Sequence, residues 1–395
     1  MEVGTDNILK LGIILSTLLV LGCASSANIK PVPAELSDIV EIPGIPNARF
    51  WGNEYPKHTR IILLNSTDEM IRKNSPDIYG VPHNYLAISG GGAHGAFGAG
   101  LLNGWTKSGT RPEFTMVTGV STGALIAPFA FLGSEYDEHL KQFYTTTSTE
   151  QIARKRWLIG ALFSDSLSDT QPMADMIANN LTPEIVEEIA QEHRSGRRLL
   201  IGTVNLGAGR SVVWNIGAIA VSEHPEKVHL IHKIILASAS IPVAFPPVYF
   251  DVEANGEKYT EVHVDGGTGS QVFVYPAVID WKEITEKLKV QGKPNVYVIR
   301  NSFIDPSHEV KEYKLVSIAG RTIGSLIRTQ GIGDLYEIYA LCERDGNKFH
   351  LAYIPRSFKH EKTEEFDPVF MSELYEVGYE LAVEGYDWKE APPGF

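Results

Sequence analysis

Cysteine is almost absent. The 395 residues hold two, Cys23 and Cys342, too few for a disulfide framework or a cysteine-rich zinc site. Basic residues are also short, with 35 Lys plus Arg against 48 Asp plus Glu and a formal charge of −13. So acidic a surface repels phosphate backbones and argues against a general nucleic-acid binder. The N-terminal apolar run, LGIILSTLLVLG from Leu11 to Gly22, is short as well. As a helix it covers about 18 Å, against a bilayer core of about 30 Å. What remains is globular in composition, 43% hydrophobic and 21% charged, so a disordered, collagenous or coiled-coil chain is excluded. The length exceeds one ordinary core but lies within reach of a single large α/β domain.

The apolar run has the length of a secretory h-region. Val20-Leu21-Gly22-Cys23 resembles the lipobox of bacterial lipoproteins, in which the cysteine is lipidated and becomes the first residue after cleavage. That resemblance implies a signal peptide over 1–22, a lipid anchor on Cys23 and attachment to a membrane of the bacterial cell envelope. Ala24 after the cysteine points to the outer membrane. Two features depart from the pattern: Lys10 is the sole n-region lysine, set against Glu2 and Asp6, and Val20 stands where leucine is commoner. A plain signal peptide and a buried apolar segment are the competing readings. Residues 23–56, with Pro31, Pro33, Pro43, Pro46 and Pro56, read as a tether. Cys342 is left as an unpaired core thiol.

Beyond Pro56 a single catalytic domain, 57–395, is expected. Short apolar strands at 85–89, 114–120, 198–206, 211–216, 261–264 and 295–301 alternate with helical stretches. These include 93–107, 122–132, 183–194, 228–239, 276–289, 314–329, 331–343 and 369–384. The alternation predicts an α/β fold, a mostly parallel sheet covered on both faces.

The first strand runs into Ser89-Gly90-Gly91-Gly92-Ala93-His94-Gly95 and then a helix. Glycines let a ligand approach the backbone, and the helix N-terminus offers free N–H groups, so the loop is built to hold an anion. Gly90-x-Gly92-x-x-Gly95 also matches a dinucleotide fingerprint. The second strand, however, ends in Thr118-Gly119-Val120-Ser121 and lacks the acid that would hold a ribose. In its place stands Gly119-Val120-Ser121-Thr122-Gly123, a G-x-S-x-G between strand and helix, the context of a nucleophile elbow. Farther on, Asp265 ends a short apolar strand and is followed by Gly266 and Gly267, which reads either as a base brought close to another loop or as a tight turn.

Together, the blocks 90–95, 119–123 and 265–267, with Ser238-Ala239-Ser240-Ile241-Pro242 and Phe245-Pro246-Pro247 between them, resemble the patatin-like phospholipase family. The resemblance covers about 85–275. It implies a three-layer α/β/α sandwich, Ser121 as nucleophile, Asp265 as general base, an oxyanion hole from the N–H groups of Gly90, Gly91 and Gly92, and no metal or other cofactor. It further implies a lipid ester as substrate, cleaved through an acyl-enzyme. Two positions depart from the family pattern. His94 stands where a cation is usual, and Gln271 and Phe273 stand where an asparagine and a proline are usual.

Competing chemistry would be a triad using His308, His350 or His360. A competing function would be a catalytically silent lipoprotein that binds a lipid or a partner. The pairs Glu192-His193 and His308-Glu309 lack metal-ligand spacing. The stretch from Ala153 to Phe163, basic and then apolar, reads as ordinary packing or as a membrane-contacting segment.

Overall fold

The computed structural model describes residues 29–155, 168–305 and 315–395. The expected signal peptide, Cys23, the first residues of the tether, most of the 153–163 segment and His308 lie outside the described residues.

Nine strands form one sheet. They are β1 (Arg49–Trp51), β2 (Asn84–Ile88), β3 (Met116–Val120), β4 (Arg198–Asn205), β5 (Arg210–Asn215), β6 (Val248–Ala254), β7 (Glu257–Asp265), β8 (Asn295–Arg300) and β9 (Lys348–Tyr353). The parallel part runs β4-β3-β2-β8-β9. Its central strands, NYLAI and MVTGV, are almost wholly buried, as expected where helices cover both faces. Beyond β4 the sheet turns antiparallel: β5 pairs β4, β1 pairs β5, and the β6–β7 hairpin joins β4 through β7. The sheet is therefore mixed, with a parallel core and an antiparallel flank.

The helices used below are α1 (Lys57–Asn65), α2 (Asp68–Asn74), α3 (Gly95–Lys107), α4 (Thr122–Leu132), α5 (Lys227–Ser238), α6 (Leu315–Asp345) and α7 (Pro368–Val383). α3 crosses α7 at backbone contact: a Cβ on Gly100 would sit 2.0 Å from the Tyr375 carbonyl oxygen. This crossing, with α4 and α5, forms the main core on one face. On the other face α6 and the Val272–Ile284 stretch cover Tyr85, Ala87, Met116, Leu200, Val296 and Val298. α6 is one helix where the sequence predicts two.

The tether expectation is corrected from about residue 30 onward. Val40, Ile42, Ile45, Ala48 and Trp51 are buried in the main core. Pro31 bridges to Thr260, Glu41 pairs with Glu253, and β1 extends the sheet. Isolated apolar residues among prolines show no period, yet each fills a position on the antiparallel flank.

Candidate active site

The site begins with how β4 divides one of its edges between two strands. Residues 198–202 of β4 pair with β3 in parallel, ending at Val120 opposite Gly202. The next position, Thr203, pairs with Asp265, the last residue of antiparallel β7. The ends of β3 and β7 therefore meet head to head along one strand. Residues far apart in the chain become neighbours there: Ser121 Oγ donates to Asp265 Oδ2 at 2.6 Å, across a separation of 144 residues.

Ser121 stands on the turn from β3 into α4 with φ 56° and ψ −123°. A non-glycine residue held there stores on the order of 1–3 kcal/mol of strain. The turn is so tight that a Cβ on Gly119 would lie 2.4 Å from the Gly123 carbonyl oxygen, and one on Gly123 2.2 Å from that of Ile88. A third close approach lets the aspartate in, since a Cβ on Gly266 would meet the Gly202 carbonyl oxygen at 2.4 Å. Ser121 is 7% exposed and Asp265 4%. Asp265 Oδ1 accepts from the Gly267 N–H at 2.7 Å. Burial raises the Asp265 carboxyl, the bonds from Ser121 and Gly267 oppose that, and the balance leaves it at about 7.

The stretch 238–240 holds both partners, a role that its sequence does not announce. Ser238 Oγ accepts from the Ser121 N–H at 3.0 Å and donates to the Gly202 carbonyl at 2.7 Å. The Ser240 carbonyl accepts from the Asp265 N–H at 2.9 Å. The side-chain pattern alone could not reveal this, because two of the three contacts involve backbone groups of the dyad.

The glycine loop lies over the serine. A Cβ on Gly90 would be 3.1 Å from the Ser121 Cβ. The expectation of three free amides is corrected to two: the Gly90 N–H donates to the Gln271 carbonyl at 3.1 Å. No acceptor for the N–H of Gly91 or Gly92 occurs among the described residues. Asn301 anchors the loop from behind. Its N–H donates to Ser89 Oγ at 2.8 Å, its Nδ2 donates to the Ser89 carbonyl at 3.0 Å, and its Oδ1 accepts from the Gly98 N–H at 3.1 Å.

This constellation of serine elbow, aspartate and glycine loop falls within one recognisable segment. Residues 86–278 match the model of the patatin-like phospholipase family. The matched segment holds β3, β4 and most of β2 from the parallel core of the sheet, and the mixed sheet with helices on both faces is an α/β fold. Among solved structures the chain is similar to the crystal structure of VipD from Legionella pneumophila, at 11% identity, with 77% of this chain and 67% of that chain covered and a TM-score of 0.38. It is also similar to human GIVD cytosolic phospholipase A2, at 9% identity, 78% and 52% coverage and a TM-score of 0.33. The chain thus spans about half the length of the human protein. Among curated proteins none matches the sequence.

The two departures from the patatin-like pattern have clear surroundings. The His94 ring packs edge-on against Phe303 and Phe370, with centroids 5.8 and 5.5 Å away. That desolvation, with Lys362 nearby, holds its pKa at about 4, so the ring is neutral at pH 7 and cannot replace a cation. Gln271 ties the glycine loop, the aspartate loop and α6 together. Its carbonyl takes the Gly90 N–H, its Nε2 donates to the Gly267 carbonyl at 2.9 Å, and its own N–H donates to Asp334 Oδ2 at 2.6 Å. Phe273 contributes its carbonyl, which accepts from Thr118 Oγ1.

A narrow cavity of about 30 Å³ opens on Ser121 and Gly92, walled by Leu125, Phe143, Ile152, Met173, Ile241 and Phe245. Two histidines of the competing triad are engaged elsewhere, and His308 lies outside the described residues. His350 Nε2 is bonded to Asn295 Oδ1 at 3.1 Å, and His360 faces Glu373 at 2.7 Å. Among the described residues no cluster of three or more His, Cys, Asp or Glu suits a metal ion, and no helix is long and apolar enough to cross a membrane.

Proposed function

We propose that this protein is a serine acyl hydrolase acting on lipid esters, of phospholipase A or lysophospholipase type, through a Ser121–Asp265 dyad. The direct 2.6 Å bond between the two side chains, with no histidine between them, carries this reading. Ser121 Oγ attacks the ester carbonyl while Asp265 takes its proton. The N–H groups of Gly91 and Gly92, helped by the adjoining helix N-terminus, hold the oxyanion. The alcohol leaves with the proton from Asp265, and water, deprotonated by the same carboxylate, then releases the fatty acid from Ser121. The walls of the cavity are apolar like an acyl chain, and the cavity, at about 30 Å³, would have to widen to admit one. A lipid anchor at Cys23 would keep this site at a membrane surface, where such substrates are concentrated.

A fluorophosphonate probe should label Ser121, and the protein should release fatty acids from a phospholipid panel. An unlabelled serine in folded protein, with no fatty acid released, would instead fit a silent lipid-binding lipoprotein and would sink the proposal.

The general base must be ionised to act. With Asp265 at about 7, kcat/KM should fall about tenfold per pH unit below neutrality, to roughly a hundredth at pH 5. A profile flat between pH 5 and 8 would remove Asp265 from that role.

A further inference from the structure

A second and much larger cavity lies at the other end of the sheet. It measures about 690 Å³, within the range of one small-molecule site. Its floor includes a row across three strands, Tyr85, Met116 and Arg198, which are register partners and so project to one face. Ser121 follows β3, about 15 Å along the strand from Met116. The docked N-terminal segment and α1 and α2 form one wall, and Val274 to Leu288 another.

The lining is largely apolar and carries charges of both signs, Asp38, Glu41 and Glu54 as well as Arg49, Arg60 and Arg198. Three buried side-chain atoms on it have no hydrogen-bond partner, Tyr55 Oη, Arg60 Nε and Trp281 Nε1, and all three carry hydrogen-bond donors. The other cations on the lining are matched: Arg49 by Glu261 and Arg60 by Glu283. Asp38 and Glu54 on the lining are taken by Arg210. Arg198 differs. Its Nη1 donates to the carbonyls of His193, Gly196 and Arg197 at 3.2, 2.7 and 2.8 Å, and no carboxylate pairs with it among the described residues. Burial pulls its pKa down to about 10, still high enough to keep the charge at neutral pH.

Arg198 is only half-buried, and its guanidinium has no carboxylate partner among the described residues, so an anion placed on it would gain a charge-assisted hydrogen bond. The outer wall also leaves Ile61 59% and Ile62 53% exposed, with Met70 exposed beside them, so apolar surface continues from the cavity to the outside. We propose that this cavity binds a long-chain carboxylate, its chain along Met116, Leu200 and Trp281 and its head group on Arg198. The site is separate from the catalytic serine, and the inference does not rest on the catalytic reading.

The test uses the full chain carrying Ser121→Ala, so that nothing is turned over, and a brominated stearate as probe. Trp281 and Trp51 line the cavity, so the bromine should quench tryptophan fluorescence saturably at one equivalent. Trp281→Phe should remove much of the quenching. Arg198→Met should weaken binding at least tenfold, or about 1.4 kcal/mol, and the matching brominated alcohol should bind weaker than the acid by a similar factor. Because Arg198 also holds three carbonyls, Leu200→Phe serves as a second variant that narrows the cavity without touching the charge; it too should weaken binding. No saturable quenching by the full chain would overturn the proposal, as would acid binding unchanged in Leu200→Phe protein that melts like the parent.

Discussion

Asp265→Asn should abolish hydrolysis and, at alkaline pH, make the protein more stable. The loss of activity follows from the proposed chemistry. Asparagine can still meet Ser121 Oγ and accept from the Gly267 N–H, so the geometry survives, but it cannot take a proton. A fall of about 10⁴ or more in kcat is expected by comparison with other acyl-transfer sites that lose their proton acceptor or its carboxylate. Ser121→Ala should fall as far. The gain in stability follows from linkage. The Asp265 carboxyl sits at about 7 in the folded state, above its ordinary value of 3.8, so folding favours the protonated form. As pH rises from about 4 to about 7 the carboxylate therefore destabilises the fold by about 1.4 kcal/mol per pH unit, about 4 kcal/mol at the most. Asparagine escapes this. Urea melts at pH 8 should show the variant ahead of the parent, and melts near pH 4 should show them level. A variant less stable than the parent at pH 8 would contradict the buried, only partly compensated carboxylate on which the mechanism rests.

Glu261→Ala should be among the most damaging single substitutions for stability. Glu261 and Arg49 are 3% and 8% exposed at their side chains and are joined by two hydrogen bonds, one of them 2.9 Å between Arg49 Nη2 and Glu261 Oε1. The carboxylate also meets His263 Nε2 at 3.0 Å, and His263 Nδ1 lies 2.9 Å from Thr203 Oγ1, itself the acceptor of the Trp214 Nε1–H at 2.7 Å. Removing Glu261 strands a buried guanidinium, a loss of about 3–5 kcal/mol. It should also loosen the N-terminal segment that Arg49 fastens to β7. Burial alone would raise the Glu261 carboxyl, but the bonds from His263 and Arg49 outweigh it and hold the group at about 2. Its contribution is thus complete above about 4.5 and is lost as pH falls toward 2. Denaturant melts at pH 7 check the size, and limited proteolysis near residue 49 checks the loosening. A change below 1 kcal/mol would mean that water already reaches the pair.

The parallel half of the molecule was legible because its signals are local. Buried runs such as YLAI and MVTGV lead into glycine-containing turns, and Thr122–Leu132 matches its expected helix residue for residue. The antiparallel flank was harder. β1 is three residues long inside a proline-rich stretch. The β6–β7 hairpin did carry a signal: Val248–Ala254 alternates buried and exposed, and the two-residue turn that follows is Asn255-Gly256, with φ 53° and 79°. An Asn-Gly pair between alternating strands is a strong hairpin mark, and only its second strand was read, in part. Ser121 and Asp265 were each recognisable in a motif. Their meeting was implied by the family resemblance alone, because the pairing of β3 and β7 with one edge of β4 leaves no trace in residue spacing. The Gly90 amide was misjudged for a similar reason, since its partner is the backbone of Gln271 in another loop.

That shared edge makes β4 a common ruler for the two reacting groups. Length can be added to or removed from the loops between residues 121 and 265 without altering the distance from hydroxyl to carboxylate, provided that both strands keep their places on the ruler. A slip of β7 by a single residue would be ruinous, because it would turn the carboxylate to the opposite side of the sheet.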